Sequence, residues 1–298
     1  MPPQDPLVGR TIAGYRLERL IGEGGTATVY RAEHPEKGSV AFKVLRSRLA
    51  QDATAVKRFL REAELGQRLV HPYIVKTFDF GQEEGLYFLA LEWVEGEPLA
   101  DFASRSGQLA PPLVATIIEQ VGAALAATHS RNIIHRDLKP ANIMFDPATQ
   151  QAKLLDFGIA RDAETSADER LTRAGFFVGT LQYVAPETLS GALVDEQADV
   201  YSLATIAYYL LTGTHPFPGK NPRELFQQLL TQNPVPLNQA EKGLKFTPAI
   251  ETAVMRGLER DLAKRTKTVD EFSQEFCTAV RETDGQKGAG FLKRLFGK

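Results

Sequence analysis

Two stretches of this chain place oxygen-bearing side chains where neither helical nor strand periodicity claims them. His135-Arg136-Asp137-Leu138-Lys139-Pro140-Ala141-Asn142 follows a helix-like segment, and Leu154-Leu155-Asp156-Phe157-Gly158 follows a short apolar run. The proline between Asp137 and Asn142 sets these two residues on a loop, not on one helical face. Two aspartates and an asparagine are suitable oxygen ligands and hydrogen-bond acceptors for a divalent cation carrying a nucleotide. Either tripeptide alone, His-Arg-Asp or Asp-Phe-Gly, would pass for an ordinary loop. Their order and spacing along one chain argue for a site.

Upstream, Ile21-Gly22-Glu23-Gly24-Gly25-Thr26-Ala27-Thr28-Val29 lies between two predicted strands. Small residues there let backbone N–H groups approach a polyphosphate closely, although a plain turn would have the same composition. Val40-Ala41-Phe42-Lys43 puts one lysine in an apolar strand. It could reach solvent by its stem, or it could pair with an acid. Glu62 supplies that acid, since it falls on the apolar stripe Phe59, Ala63, Gly66 and Leu69 of a predicted helix while Lys57, Arg58, Arg61, Glu64 and Arg68 point elsewhere. A Lys43–Glu62 ion pair would satisfy both charges and hold an ammonium ready for phosphate oxygens.

The elements that position these groups fall into two styles. Leu17 to Ile21, Thr28 to Ala32, Ser39 to Leu45, Thr77 to Gln82 and Leu86 to Trp93 read as strands, and Asp52 to Leu69 as a helix, together a small sheet-based lobe. After Gly96 long helical segments take over. Pro112 to Ser130 is one, and Val200 to Leu211, apolar nearly all round, is a helix buried inside its lobe. The fold class is therefore α+β and bilobal. Residues 162–175 are polar and aperiodic, a loop long enough to expect a function.

Composition sets the outer bounds. The 298 residues are 43% hydrophobic, enough for a substantial core or two modest ones. With 35 basic and 37 acidic residues, the net charge of −2 gives no reason to expect nucleic acid as a partner. The single cysteine, Cys277, excludes an internal disulfide and fits a reducing cytoplasm. Met1 to Arg10 lacks the features of a secretory signal. The apolar stretch Val200 to Leu211 is too short to cross a bilayer, so no transmembrane span is expected.

Taken together, these motifs resemble the protein-kinase family from about Tyr15 to Val280, and the bacterial kinases of eukaryotic type in particular. The cue is the run Ile21 to Tyr30 together with Gly179-Thr180-Leu181-Gln182-Tyr183-Val184-Ala185-Pro186-Glu187. The resemblance implies a small lobe over residues 15–94, a larger, mainly helical lobe over 95–282, an N-terminal extension (1–14) and a basic tail (283–298). It implies that Ile21, Gly22, Gly24 and Val29 roof an ATP molecule, and that Lys43 binds its α- and β-phosphates and pairs with Glu62. Leu91 would be the gatekeeper, the backbone at Glu92 and Val94 would meet adenine, and Leu20, Ala41 and Met144 would wall the purine slot. Asp137 would be the catalytic base, Lys139 would neutralise the transferring phosphoryl group, and Asn142 and Asp156 would hold Mg2+, or Mn2+ in its place. Lys139 and Thr180 resemble the serine/threonine branch. Asp199 would brace the catalytic loop, and Glu187 with Arg265 would anchor the end of the activation segment. Ala27 stands where the family usually has a third glycine, so the tip of the phosphate loop would carry a methyl group, with a modest change in nucleotide affinity expected.

The same resemblance makes Thr172 the candidate for activating autophosphorylation, with Thr165 and Ser166 behind it, and with Arg136 and Arg161 as donors to the phosphate. A homodimer could form during that step. Protein serines and threonines are the expected acceptors. In the tail, Gly285 to Lys298 has four basic residues and no acidic one. If helical, it would gather Phe291, Leu292, Leu295 and Phe296 on one face, suited to weak docking on an anionic membrane or a partner, whereas a solvated tail would need no partner. Two competing readings are a pseudokinase scaffold, which would lack at least one charged catalytic group, and a small-molecule phosphotransferase, which would generally lack the Ala-Pro-Glu ending.

Overall fold

The computed structural model describes residues 5–155, 181–190 and 194–296, with side chains as far as 283. The chain divides into two compact units: one runs through Glu95 and regains the chain at Leu155, and the other begins at Gly96.

The first unit is built on β1 (Thr11–Ile12), β2 (Tyr15–Glu23), β3 (Ala27–His34), β4 (Gly38–Leu45), β5 (Thr77–Glu83) and β6 (Leu86–Glu92), hydrogen-bonded in the order β1-β2-β3-β4-β6-β5. Each neighbouring pair is antiparallel. Period-two alternation gives the sheet two different faces. One carries Tyr15, Leu17, Tyr30, Ala32, Val40, Phe42, Phe88 and Ala90, and Leu7, Val8 and Ala13 pack over it. The other carries Ala27, Leu45 and Leu89 and packs against Phe59 and Ala63 of α1 (Ala53–Arg68). Asp52 caps α1 by accepting from the N–H groups of Thr54 and Ala55 at 2.9 and 3.2 Å, which fixes where the helix starts. The expected strands and helix are found within two residues of their predicted ends.

The second unit contains β7 (Glu97–Pro98), β8 (Ile143–Asp146) and β9 (Gln151–Leu154) in one small sheet. Its helices are α2 (Leu99–Ser106), α3 (Pro111–His129), α4 (Pro186–Ser190), α5 (Gln197–Thr212), α6 (Pro222–Thr231), α7 (Pro248–Gly257) and α8 (Val269–Phe296). The buried helix expected over Val200 to Leu211 is α5, in which every residue but Tyr209 is buried. It ends at Gly213, whose φ of 72° is the left-handed conformation that closes helices and that glycine adopts without strain. Among the described residues α3 alone is long and apolar enough, by length and composition, to cross a membrane. Here it is a core helix: Val114, Ile117, Ile118, Val121 and Leu125 are buried, and a side chain at Gly122 would collide with Ser273 of α8.

Residues 162–175, Asp156, Arg161, Thr172, Thr165, Ser166 and the Gly179-Thr180 pair lie outside the described residues. The backbone of α8 continues helical to Phe296, while the side chains of the tail's apolar set lie outside those described.

Candidate active site

In the first unit Lys43 stands on β4, paired across the ladder with Val29 of β3 and Leu89 of β6. Its ammonium meets Glu62 of α1 at 3.3 Å, and the two side chains are only 13% and 17% exposed. The predicted pairing is therefore formed. Two charges drawn largely out of water satisfy each other there. Behind the pair lies a small cavity of about 20 Å³ lined by Glu62, Gly66, Val75, Thr77, Leu89, Leu91 and Leu155. Gly66 is required there, because a Cβ would come within 2.5 Å of the Thr77 hydroxyl. Ala41 and Leu91 face each other on the same row of the ladder. The Glu92 N–H is committed to the Lys76 carbonyl at 2.8 Å.

The glycine-rich hairpin closes with Gly24 N–H donating to the Ala27 carbonyl at 2.8 Å. Gly22 is half-buried and Gly24 exposed, and Leu20 and Ile21 expose 37% and 43% of their surface. From the second side, Arg46 pairs with Glu23 at 2.9 Å and Arg48 donates to the Gly25 carbonyl at 2.8 Å. Ala27 is not the exposed methyl that the sequence suggests. It is 2% exposed and belongs to the core beneath α1, so the missing third glycine serves packing there.

In the second unit the loop after α3 brings together the next group. The Asp137 carboxylate accepts from Lys139 Nζ at 2.9 Å and from Asn142 Nδ2 at 3.2 Å, and the same Nδ2 reaches the Asp137 carbonyl at 2.8 Å. With its amide donors turned to Asp137, Asn142 keeps its oxygen as the kind of hard ligand a divalent cation takes. Arg136 adopts φ 62°, an unfavourable conformation for a side chain of its size. What holds it is Asp199 at the start of α5, whose carboxylate accepts from the His135 and Arg136 N–H groups at 2.8 and 3.0 Å. Burial pushes Asp199 upward, but the His129 hydrogen bond, with the His135 and His129 charges and the His135 N–H, carries it below the usual carboxylate range. It stays ionised where it braces the loop. Met144 lies on β8, opposite Pro98 and Lys153.

The Glu187–Arg265 pair is also formed. Arg265 Nη1 and Nη2 meet the two carboxylate oxygens at 2.6 and 3.0 Å, with the guanidinium side chain fully buried. Two groups were missed in the sequence. His129 Nε2 lies 2.8 Å from Asp199 Oδ2, although the Leu-free stretch Thr128-His129-Ser130 reads only as a helix end. His215 Nε2 lies 3.0 Å from the Tyr183 hydroxyl and its ring stacks on Tyr209 at 4.7 Å, although its setting, Gly213-Thr214-His215-Pro216, reads only as a turn.

A two-lobed arrangement of a lysine-bearing sheet and a helical unit with an Asp-Lys-Asn loop is the protein-kinase fold. The sequence profile of the family described as Protein kinase domain matches residues 15–280, and the chain belongs to that family. It is 39% identical over 288 residues to serine/threonine-protein kinase pkn3 of Myxococcus xanthus, covering 94% of this chain and 53% of that protein. To serine/threonine-protein kinase PknH of Mycobacterium tuberculosis it is 35% identical over 292 residues, covering 98% and 46%. The crystal structure of the M. tuberculosis PknI kinase domain superimposes with a TM-score of 0.69 at 30% identity, covering 91% of this chain and 97% of that one. The chain spans about half or less of the length of the curated relatives it matches. These relatives place it among the bacterial kinases of eukaryotic type, a family that uses ATP and a divalent metal ion.

Proposed function

We propose that this protein transfers the γ-phosphoryl group of Mg-ATP to serine and threonine hydroxyls of other proteins. The observation that carries the proposal is the Asp137 carboxylate, held at once by Lys139 and Asn142 in a loop strained at Arg136 and braced by Asp199. In this reading Asp137 orients the acceptor hydroxyl and takes its proton as the oxygen bonds to the γ-phosphorus. The bond from that phosphorus to the β,γ-bridging oxygen breaks, and ADP departs. Lys139 offsets charge on the transferring group, and Lys43, steadied by Glu62, holds the α- and β-phosphates. Asn142 and Asp156 would hold Mg2+, which when bound neutralises phosphate charge. Ile21, Gly22, Gly24 and Val29 cover the nucleotide; Leu91, the backbone at Glu92 and Val94, Leu20, Ala41 and Met144 receive the purine. Residues 15–94 then form the nucleotide lobe, 95–282 the acceptor lobe and 283–298 a tail.

The charged set argues against a pseudokinase, since Lys43, Glu62, Asp137, Asn142 and Asp156 are all present. The buried Glu187–Arg265 pair at the end of Ala185-Pro186-Glu187 argues against a small-molecule phosphotransferase. Radiolabel transfer from ATP to a generic protein substrate tests the proposal. Asp137→Asn should lose about 100-fold or more in transfer, the usual contribution of a positioned base, while still binding ATP. Wild-type protein that neither binds Mg-ATP nor labels any polypeptide would end the reading.

Activation is assigned to phosphorylation of Thr172, with Arg136 and Arg161 as donors. In support, the Arg136 Nε is buried and has no hydrogen-bond partner among the described residues, a position an arriving phosphate would satisfy. Autophosphorylation in trans would pass through a homodimer, and the basic tail would dock weakly on an anionic surface. A cytoplasmic location fits the lone cysteine and the use of ATP.

A further inference from the structure

The segment before β2 ties down the glycine-rich hairpin from behind. Asp5 receives the Tyr30 hydroxyl on both carboxylate oxygens, at 3.1 and 3.0 Å, and its Oδ1 also takes the Leu7 N–H at 2.9 Å. Gly9 N–H donates to the Leu17 carbonyl at 2.8 Å, and Leu17 N–H returns a bond to the Arg10 carbonyl at 2.9 Å. Ile12 is fully buried, and the Arg10 guanidinium reaches Glu84 in the β5–β6 turn. Residues 5–12 thus cross the whole back of the sheet, from β3 to the far hairpin.

The two tie points are informative. β2 carries register irregularities between Leu17 and Arg19 and between Leu20 and Gly22. Bulges loosen a ladder and leave a hairpin free to bend. The strap grips β2 at Leu17, on the near side of the first bulge. It grips β3 at Tyr30, which pairs with Leu20 beside the second bulge and directly follows Val29. Val29 in turn pairs with Lys43 on β4. Burial and the Asp5 carboxylate both push the Tyr30 phenol well above its ordinary range, so it remains a protonated donor.

We propose that Asp5 is a positioning residue for the nucleotide-binding hairpin: through Tyr30 it fixes the root from which Gly22 to Thr28 project. The consequence for ATP rests on the kinase reading above, but the consequence for hairpin order does not, so two readouts are needed. The first is hydrogen–deuterium exchange of the Gly22–Thr28 amides in the full chain without nucleotide, for wild type, Asp5→Ala, Tyr30→Phe, the double variant and Asp5→Asn. The second is steady-state kinetics on the same proteins. Asp5→Ala and Tyr30→Phe should each speed exchange at Gly22–Thr28 and raise KM for ATP about 3- to 10-fold, the scale of one hydrogen bond, with kcat within about twofold. The double variant should be no worse than either single one, because both remove the same bond. Asp5→Asn keeps an acceptor oxygen and should recover most of the loss. Exchange at Gly22–Thr28 equal to wild type in both single variants would overturn the proposal, even if their melting temperatures fall. Faster exchange in a protein that never uses ATP would leave the positioning role standing and remove the kinase reading instead.

Discussion

Replacing Glu187 with alanine removes one side of an ion pair whose other member, Arg265, is completely enclosed. The Arg265 guanidinium makes hydrogen bonds to the two Glu187 oxygens at 2.6 and 3.0 Å, to the Glu259 carbonyl at 2.7 Å and to the Gln197 carbonyl at 2.9 Å, with the Tyr201 ring centroid 5.1 Å away. Truncating one partner of a buried pair costs about 3–5 kcal/mol, because the remaining charge is left without a counter-ion in a poor solvent. Two carbonyl acceptors and an aromatic face persist here, which places the expected loss near the lower end, about 3 kcal/mol. A change of 1 kcal/mol moves the melting temperature of a domain of this size by about 2–4 °C, so Glu187→Ala should melt about 6–12 °C lower. Glu187→Gln retains one acceptor oxygen and should lose about half as much. Differential scanning calorimetry at neutral pH, with urea unfolding beside it, reads both. If Glu187→Ala melts within about 2 °C of the parent protein, Arg265 does not depend on Glu187 and the argument fails.

Other expectations follow from single contacts. Burial holds the His215 imidazole down at about 4 against an ordinary 6.5, so the unfolded chain binds more protons between those values. Stability should be complete above about pH 6.5 and decline by about 3 kcal/mol as pH falls towards 4. His215→Phe keeps the stack on Tyr209 and should flatten that window in denaturant titrations; a slope equal to wild type would contradict the burial argument. Gly96 has φ 99°, and a Cβ there would strike the Phe145 carbonyl. Gly96→Ala should therefore cost about 2 kcal/mol or more in urea unfolding, and a neutral result would mean that β8 yields freely. Lys43→Met should lower phosphoryl transfer about 100-fold or more with an unchanged far-ultraviolet spectrum, since it removes a phosphate partner and not a core group. Full transfer by that variant would take Lys43 out of the site.

What could be read from the residues depended on the range of the interaction. Strand alternation and the α1 stripe are local patterns, and they gave both the elements and the Lys43–Glu62 pairing, because a lone acid on an apolar face requires a lone cation nearby. The Asp-Lys-Asn loop was legible for the same reason: its members are close neighbours in the chain. The Asp5–Tyr30 tie, the His129–Asp199 bond and the His215–Tyr183 contact join groups with no shared period, and each residue alone looks like an ordinary helix end, turn or strand. Residues 5–14 read as an extension although Ile12 is fully buried, since Leu7, Val8, Ile12 and Ala13 set up no sustained helical or strand period in that stretch. Ala27 misled in the opposite way: position in a motif suggested a phosphate-side methyl, and tertiary packing turned it inward.

The seating of α3 against α8 has a consequence for how the chain is made. Ser273 bonds the Ile118 carbonyl across 155 residues and Cys277 bonds Ala115 across 162, so the partner of α3 emerges from the ribosome long after α3 does. At about 5–20 residues per second that interval is roughly 8–30 s. Throughout it, the one described helix with the length and apolarity of a membrane span waits without the part of its cover that α8 supplies. Translation speed over residues 130–270 and the supply of holding chaperones should therefore govern the yield of native protein more than the final stability of the fold does.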